Sequence, residues 1–489
     1  MNQRIICKTL AVAVIFLFIG LGIQPVIAKV QNNPISTPIG NTLYVGGTEV
    51  GNYTKIQDAI DNASDGDTVF VFDDSSPYYE NVVIDKALFL WGENKKSTKI
   101  SGEVSLYSQN DVLITKFTIN IITLERSSNI TIIDNDIINK DHGIKIVDCS
   151  NFKIINNNIT DQDRYGIEII TSHSKGIITG NTIISKSWSS PNYACIRMRS
   201  VDDVTITNNT FISLRDRLYY GIRLESSEYN TINNNNFINT GLELWYSSQE
   251  NNIYENKVNG KPLVYLNGVT DTIIDNAGQV YLINCKKVTV CNLSITKVPC
   301  GITLYDTNEC IIRNNVISMC TTGFDCWNIK KNTISENTLE GCSFYIYKGF
   351  KNIISKNTLQ NTRSGFYISL SVSNTLNNNI ISYCNGITII ASANNKIFKN
   401  QIMNCSIGIE FEASFFNTIK QNNFINKNNA FFVTSLRNHW RQNYWNEQRY
   451  LPYIIHGYLY YNFFFPDYYN YYIPMVNIDW NPAKEPYDI

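Results

Sequence analysis

Asn374-Thr375-Leu376-Asn377-Asn378-Asn379-Ile380-Ile381-Ser382-Tyr383-Cys384-Asn385-Gly386-Ile387-Thr388-Ile389-Ile390-Ala391-Ser392-Ala393 is one unit of a repeat. It reads as a short alternating run, an Asn turn, a second apolar run, a small or polar bend, and a third run after Gly386. Alternation over four or five residues, rich in Ile, Val, Phe and Thr, is the period-2 signature of strands. Working outward, Asn followed two residues later by an apolar side chain recurs at Asn315, Asn337, Asn357, Asn379, Asn400 and Asn423, in steps of 22, 20, 22, 21 and 23 residues. The same pattern marks Asn135, Asn157, Asn181, Asn209, Asn235 and Asn256 upstream. A fixed period of this size denotes a solenoid, whose repeats bury their apolar faces only by stacking on neighbours. Helical solenoids need longer segments at period 3.6, and leucine-rich repeats need a leucine spacing that is absent here. Three strands and three turns per repeat predict an all-β parallel β-helix of about 16–18 rungs.

Asn tolerates the left-handed backbone that a tight corner needs. Stacked on successive rungs about 4.8 Å apart, its amides can donate and accept along the axis. A ladder of this kind satisfies polar groups at a buried corner.

The ends do not follow the repeat. Residues 1–28 read as a secretory signal, with Arg4 and Lys8, an apolar run from Ala11 to Ile23 and a small-residue site at Val26-Ile27-Ala28. Residues 29–41 then form a linker, 42–447 the β-helix and 448–489 an aromatic tail. After the signal no apolar stretch is long enough to span a bilayer. The chain is therefore expected to be secreted, at the cell surface or in the periplasm. Ile56, Ala59, Ile60 and Ala63 share one helical face, which predicts an amphipathic plug at the N-terminal end. Residues 440–489 contain 17 aromatic side chains, against 12% aromatic overall, which predicts a C-terminal cap. The formal charge of −1 gives no reason to expect a nucleic-acid partner.

Of the 12 cysteines, Cys320, Cys342, Cys384 and Cys405 fall at one repeat position. Buried stacked thiols, bridges such as Cys320–Cys342 or Cys384–Cys405, and a soft-metal site all remain open on spacing alone. His142, His173, His439 and His456 form no spaced pair. No metal ligands and no cofactor are assigned; calcium or copper would need a ligand cluster that the sequence does not display.

The repeat breaks between Asn256 and Asn292, a step of 36 residues, and long steps of 28 and 26 precede Asn209 and Asn235. These inserts carry Trp188, Tyr193, Arg215, Asp216, Arg217, Tyr219 and Tyr220. Insertions in a solenoid emerge on one face, often the binding face. On the strand after the bend, apolar residues point inward and the alternate ones outward. The outward positions are Lys145; Glu168; Arg197 and Arg199; Arg223 and Glu225; Glu243 and Trp245; Thr303 and Tyr305; Asp325 and Trp327; Tyr345 and Tyr347; Tyr367; and Glu410 and Glu412. Rings pack on sugar C–H faces while charged groups bind hydroxyls or carboxylates. Arg199, Trp245, Tyr305, Asp325, Trp327, Tyr345, Tyr347 and Tyr367 are thus candidates for binding polysaccharide. Arg197, Arg223, Glu225 and Glu243 are the candidates for lyase, hydrolase or epimerase chemistry, which needs paired carboxylates or a base beside acids. Exposed strands also favour such residues as cross-strand pairs without any ligand.

The opening segment resembles a known family. Tyr53-Thr54, Ile56-Gln57, Ala59-Ile60, Asp65-Gly66-Asp67-Thr68-Val69, Tyr79-Glu80-Asn81-Val82 and Gly92-Glu93 are similar to the start of NosD-like proteins of the pectin-lyase-like superfamily. Pro262-Leu263-Val264-Tyr265 and Ala277-Gly278-Gln279-Val280 also look like that family. The resemblance implies a right-handed β-helix related to carbohydrate-binding and sugar-hydrolysing proteins, and NosD itself implies a copper accessory role. The polygalacturonase motifs are absent: Asp141-His142-Gly143 is the nearest fragment and lacks its partners.

Overall fold

The computed structural model describes residues 40–138, 141–162, 164–185, 193–214, 220–245, 247–460 and 472–489. The expected signal peptide, most of the linker, and Trp188, Arg215, Asp216, Arg217 and Tyr219 lie outside them. The chain is an all-β parallel solenoid of about 18 turns. Each rung adds one short strand to each of three sheets. The unit read from the sequence supplies Thr375–Asn377, Ile380–Ser382 and Ile387–Ile390, which pair in parallel with Lys396–Phe398, Gln401–Met403 and Ile409–Glu412 of the next rung. We call the sheet containing Ile387–Ile390 the front sheet.

Inward side chains stack on their own kind. Phe324, Phe344 and Phe366 are in register on successive rungs, with ring centroids 4.8 and 4.9 Å apart. Repetition at one position lets each rung fill the space left by its neighbour, and the packing needs no further sequence information.

Axial amide ladders hold the corners. Asn357 Nδ2 donates to Asn379 Oδ1 at 3.1 Å and to the Ile334 carbonyl at 2.9 Å, while its backbone N–H donates to Asn379 Oδ1 at 2.9 Å. The ladder runs from Asn315 through Asn337, Asn357, Asn379 and Asn400. It then continues to Asn422, not to Asn423 as the sequence pattern suggested, because Gln401 pairs with Asn423 and so Asn400 stacks on Asn422. Asn423 bonds instead to the backbone of Tyr487. A second ladder at another corner, Asn332, Asn352, Asn374, Asn395, Asn417 and Asn438, was not anticipated.

At the N-terminal end, Thr42–Val45 pairs in parallel with Thr68–Val71, so stacking begins at the first described strand. The helix Ile56–Asn62 lies between them in sequence and buries Ile56, Ala59 and Ile60. Glu80 accepts from the Ile56 and Gln57 amides at 2.9 and 3.0 Å, satisfying two free N–H groups of the helix start. At the other end the fully buried Asp479 terminates the first ladder, accepting from Asn443 N and Nδ2 and from Trp445 Nε1 at 2.9–3.1 Å. It sits on an antiparallel hairpin, Tyr453–Tyr460 with Tyr472–Asp479.

The break in the repeat is a junction between two stacks. Parallel pairing stops after Leu242–Trp245, Asn252–Tyr254 and Lys257–Val258. Among the described residues, the only strand pairing that crosses is antiparallel, Lys257 with Pro262 and Val258 with Lys261. Both ladders pause here: Asn256 and Asn251 end the first stack. A side chain bridges the gap. The Gln279 amide accepts from Leu242 N at 3.0 Å and donates to Leu242 O at 2.8 Å and Cys300 O at 3.0 Å. Gln279 thus does for the open strand edge what a neighbouring peptide would do. Gly241 is required opposite it, since a Cβ there would lie 2.5 Å from Gln279 Oε1.

Two stability predictions follow from unsatisfied polar groups. Asn357→Ala should lower unfolding free energy by about 2–4 kcal/mol in chemical denaturation, because two buried backbone groups lose their partner; exposed Lys427→Ala should cost under about 0.5 kcal/mol. Gln279→Leu should cost a similar 2–4 kcal/mol and lower the cooperativity of the transition by uncoupling the two stacks.

Candidate functional site

The front sheet aligns the outward residues in two columns. Lys145, Glu168, Arg197, Arg223 and Glu243 are successive partners in one, and Arg199, Glu225 and Trp245 in the other. Beyond the junction the columns continue as Tyr281, Thr303, Asp325, Tyr345 and Tyr367, and as Ile283, Tyr305, Trp327 and Tyr347.

In the first stack most charge is spent internally. Arg197 donates to Glu168 at 2.8 Å and makes a two-point contact with Glu225 at 2.8 and 3.2 Å. Arg223 Nε lies 2.8 Å from Glu225 Oε1, and its guanidinium stacks 4.1 Å from the Trp245 ring. Glu168, Arg223 and Glu225 are buried. Ionised groups this far from water are held by their mutual pairing, so Arg197, Arg223 and Glu225 form a closed network. Glu168 also binds His142 Nε2 at 3.1 Å, and Asp141 binds Nδ1 at 3.0 Å. Glu168 holds His142 above its ordinary value against the opposing effect of burial. Arg199 is exposed at the edge of this network. Of the insert aromatics described, Tyr193 packs edge-on to Tyr165 at 5.4 Å, and Tyr220 is buried beside them.

A different electrostatic situation holds at the junction. The strand Gln279–Ile283 is buried on both faces. Tyr281 donates its hydroxyl to Leu242 O at 2.6 Å, so the end of the first stack covers the outward face of the second. Across the junction Glu243 feels the charge of Asp325, 82 residues on in sequence. Burial pushes Glu243 up to about 8, with the charge of Asp325 adding to it, against the Trp245 hydrogen bond and Arg223. Burial likewise pushes Asp325 up to about 6, opposed by its bond from Trp327 Nε1. Each carboxyl is held by an indole two residues on, at 2.8 Å in both cases. Both carboxyls are thus held above the ordinary carboxylate range, Glu243 further than Asp325.

The second stack carries the aromatic column. Tyr305, Trp327 and Tyr347 occupy consecutive rungs, and the Trp327 and Tyr347 centroids are 4.6 Å apart. Trp327 is 41% exposed. Tyr345 and Tyr367 form an edge-on pair at 5.7 Å in the adjacent column.

Fold and face together define a parallel β-helix repeat protein with a polar and aromatic outer sheet. One family model, described as periplasmic copper-binding protein (NosD), matches residues 60–273 and 281–472, and the chain belongs to that family. No curated protein matches it. Among solved structures, the catalytic unit of a GH87 alpha-1,3-glucanase from Streptomyces thermodiastaticus is similar at 11% identity and TM-score 0.33, over 75% of this chain and 66% of that unit, just under two thirds of its length. A PL6 alginate lyase, AlyGC, is similar at 10% and 0.31, over 82% and 89%. A family 28 exopolygalacturonase of Yersinia enterocolitica is similar at 9% and 0.26, over 82% and 78%. With TM-scores this low, none of these likenesses bears on what the chain does.

Copper would need thiolate, thioether or imidazole donors gathered at one point. Among the described residues no three His, Cys, Asp or Glu side chains are placed to hold a metal ion. Both His142 nitrogens are engaged by carboxylates, and Met198 is buried in the core. The 11 described cysteines are buried free thiols, with Cys384 and Cys405 Sγ atoms 3.6 Å apart and Cys320 N donating to Cys342 Sγ at 3.1 Å. The described donors do not fit a copper centre.

A raised carboxyl has a defined effect on stability. Between its ordinary value of 4.5 and about 8, the folded chain retains a Glu243 proton that the unfolded chain has lost. This contribution is full below the ordinary value and is lost as pH rises through about 8. Glu243→Gln should therefore match the parent near pH 4 and exceed it above pH 8 by on the order of 1–3 kcal/mol, measured by denaturant titration across pH.

Proposed function

We propose that this protein works outside the cytoplasm and binds polysaccharide along the front sheet of its second stack. The leader-like N-terminus and the periplasmic description of the family support the compartment. Among the described residues no helix is long and apolar enough to cross a membrane. The observation that carries the reading is the Tyr305, Trp327 and Tyr347 column. Rungs repeat at about 4.8 Å, close to the length of one sugar residue in an extended chain, so successive rings can meet successive C–H faces. Asp325, Tyr345 and Tyr367 lie in the adjoining column and supply carboxylate and hydroxyl partners. Rigid rings lose little entropy on binding and combine apolar surface with a polar edge. On a glycan array, the chain without its leader should bind at least one polysaccharide class, and Trp327→Ala should weaken that binding about tenfold. Silence towards all acidic and neutral glycans would dispose of the reading.

A second reading rests on Glu243 and Asp325. Protonated Glu243 would donate to a leaving oxygen, and ionised Asp325 would serve as base or nucleophile, giving hydrolysis or lyase chemistry on the bound glycan. Incubation with polysaccharide should then release reducing or unsaturated ends with a bell-shaped profile between about pH 6 and about 8. Glu243→Gln should abolish the release while leaving glycan binding in place.

A further inference from the structure

The corner that follows the aromatic column carries an unusual charge. Over four consecutive rungs it presents Lys286, Lys287, Lys330, Lys331, Lys348 and Lys351, all exposed. Lys286, Asn308, Lys330 and Phe350 are direct partners along the axis, so the lysines share one corner, on the first, third and fourth of its rungs, and form a ridge along it. Two carboxylates on the same rungs, Asp306 and Glu309, offset it only in part. Glu309 lies 3.9 Å from Lys286 and 3.8 Å from Lys331; Lys287, Lys330, Lys348 and Lys351 have no ion pair among the described residues. Lys348 and Lys351 instead stand over the Tyr347 and Phe350 rings at 5.3 and 5.0 Å.

Ridge and rings cover the same rungs. Ile283, Tyr305, Trp327 and Tyr347 each lie within four residues of the lysine or carboxylate positions on their own rung. After Tyr347 the column turns to Ser369, and the next three corners, 370–373, 391–394 and 413–416, hold no charge at all. The placement also has a backbone cost. Lys287, Lys331, Lys348 and Lys351 adopt left-handed backbone at φ of 54, 53, 56 and 54°, where Asn or Gly is less strained. Like charges on adjacent rungs repel as well. The chain as a whole is near neutral, with a formal charge of −1, so the concentration is local.

Resting on the glycan-binding reading, we infer that the ligand of this face is a linear polyanionic glycan, its rings on Tyr305, Trp327 and Tyr347 and its carboxylates or sulfates on the lysine ridge. The rings read the sugar faces, and the ridge selects against neutral chains. Charge–charge contacts at an exposed ridge are screened by salt, so binding is steeply ionic-strength dependent.

The test uses the chain without its leader and titrates polygalacturonate, a sulfated glycan, neutral dextran and a DNA duplex of comparable length. Expected is tighter binding of one or both anionic glycans than of dextran, falling about tenfold or more between about 50 and 300 mM NaCl. Polygalacturonate against the sulfated glycan separates carboxylate from sulfate recognition. A variant with Lys330→Gln, Lys331→Gln, Lys348→Gln and Lys351→Gln should lose that preference with an unchanged melting temperature, and the corresponding Arg variant should keep it. Equal, salt-insensitive binding of dextran and anionic glycans overturns the ridge while leaving glycan binding intact. Equal binding of DNA reduces it to a general polyanion patch and overturns it too. No binding of any glycan removes both this inference and the reading beneath it.

Discussion

The corners of this solenoid must satisfy backbone groups that no strand ladder reaches, and at two of the three corners the axial Asn–Asn hydrogen bond does so. Serine hydroxyls assist at one of these, and cysteines such as Cys320 and Cys342 stand at the third. A buried carbonyl or amide without a partner costs on the order of 1–3 kcal/mol, and a helix of about 18 turns presents such groups at every turn. Each ladder Asn donates to the next Asn and to a carbonyl of the rung before, while its own oxygen receives the preceding amide. The bond is therefore directional and self-propagating. It fixes rung height and register together, and the stacked Phe and Ile interior follows from that registration. The ladder also needs an end, and Asp479 supplies one: a carboxylate accepts what the next Asn would have accepted and donates nothing.

Interrupting such a ladder is costly, which makes the junction at residues 256–263 informative. Parallel strand pairing and both ladders stop there, and the Gln279 and Tyr281 side chains rebuild the missing contacts in the space that Gly241 leaves. The result is an offset in which one stack covers an outward strand of the other. The regular rungs of the first stack bury Glu168 and Glu225 beside arginines that pair with them. Glu243 and Asp325 are each held by a neutral indole instead, and burial raises both carboxyls. The family match itself pauses at residues 274–280, beside this junction.

How legible was this from residues alone? Period-2 alternation and the Asn spacing led to the solenoid, because a repeat states the same physical demand many times over. Single positions were less secure: two consecutive Asn at 422 and 423 fit the pattern equally well, and only the register with Gln401 chooses between them. The second ladder went unseen because its Asn residues start each unit instead of marking its turn. The outward columns were readable, since alternation decides which side chains leave the core. Whether an outward charge is free was not readable: Arg197 and Arg223 are balanced by Glu168 and Glu225 through contacts within and across strands. The influence of Asp325 on Glu243 depends on how an irregular segment folds, and periodicity is silent where the period fails.

The contrast between inner and outer faces also bears on how family membership can stand beside described residues that gather no copper-ligand cluster. Inward residues and corner amides are constrained by the rungs above and below, so any member of such a family must keep them. Outward residues touch neighbours in the same column and solvent, and they change at little cost to stability. A family model built over the whole repeat is therefore dominated by the interior and the corners, and it carries the scaffold more faithfully than any site on the surface. In this chain the outer columns hold indole-bonded carboxyls, aromatic rings and lysines where a copper protein would need clustered sulfur and imidazole. The scaffold is shared, and the chemistry belongs to the face.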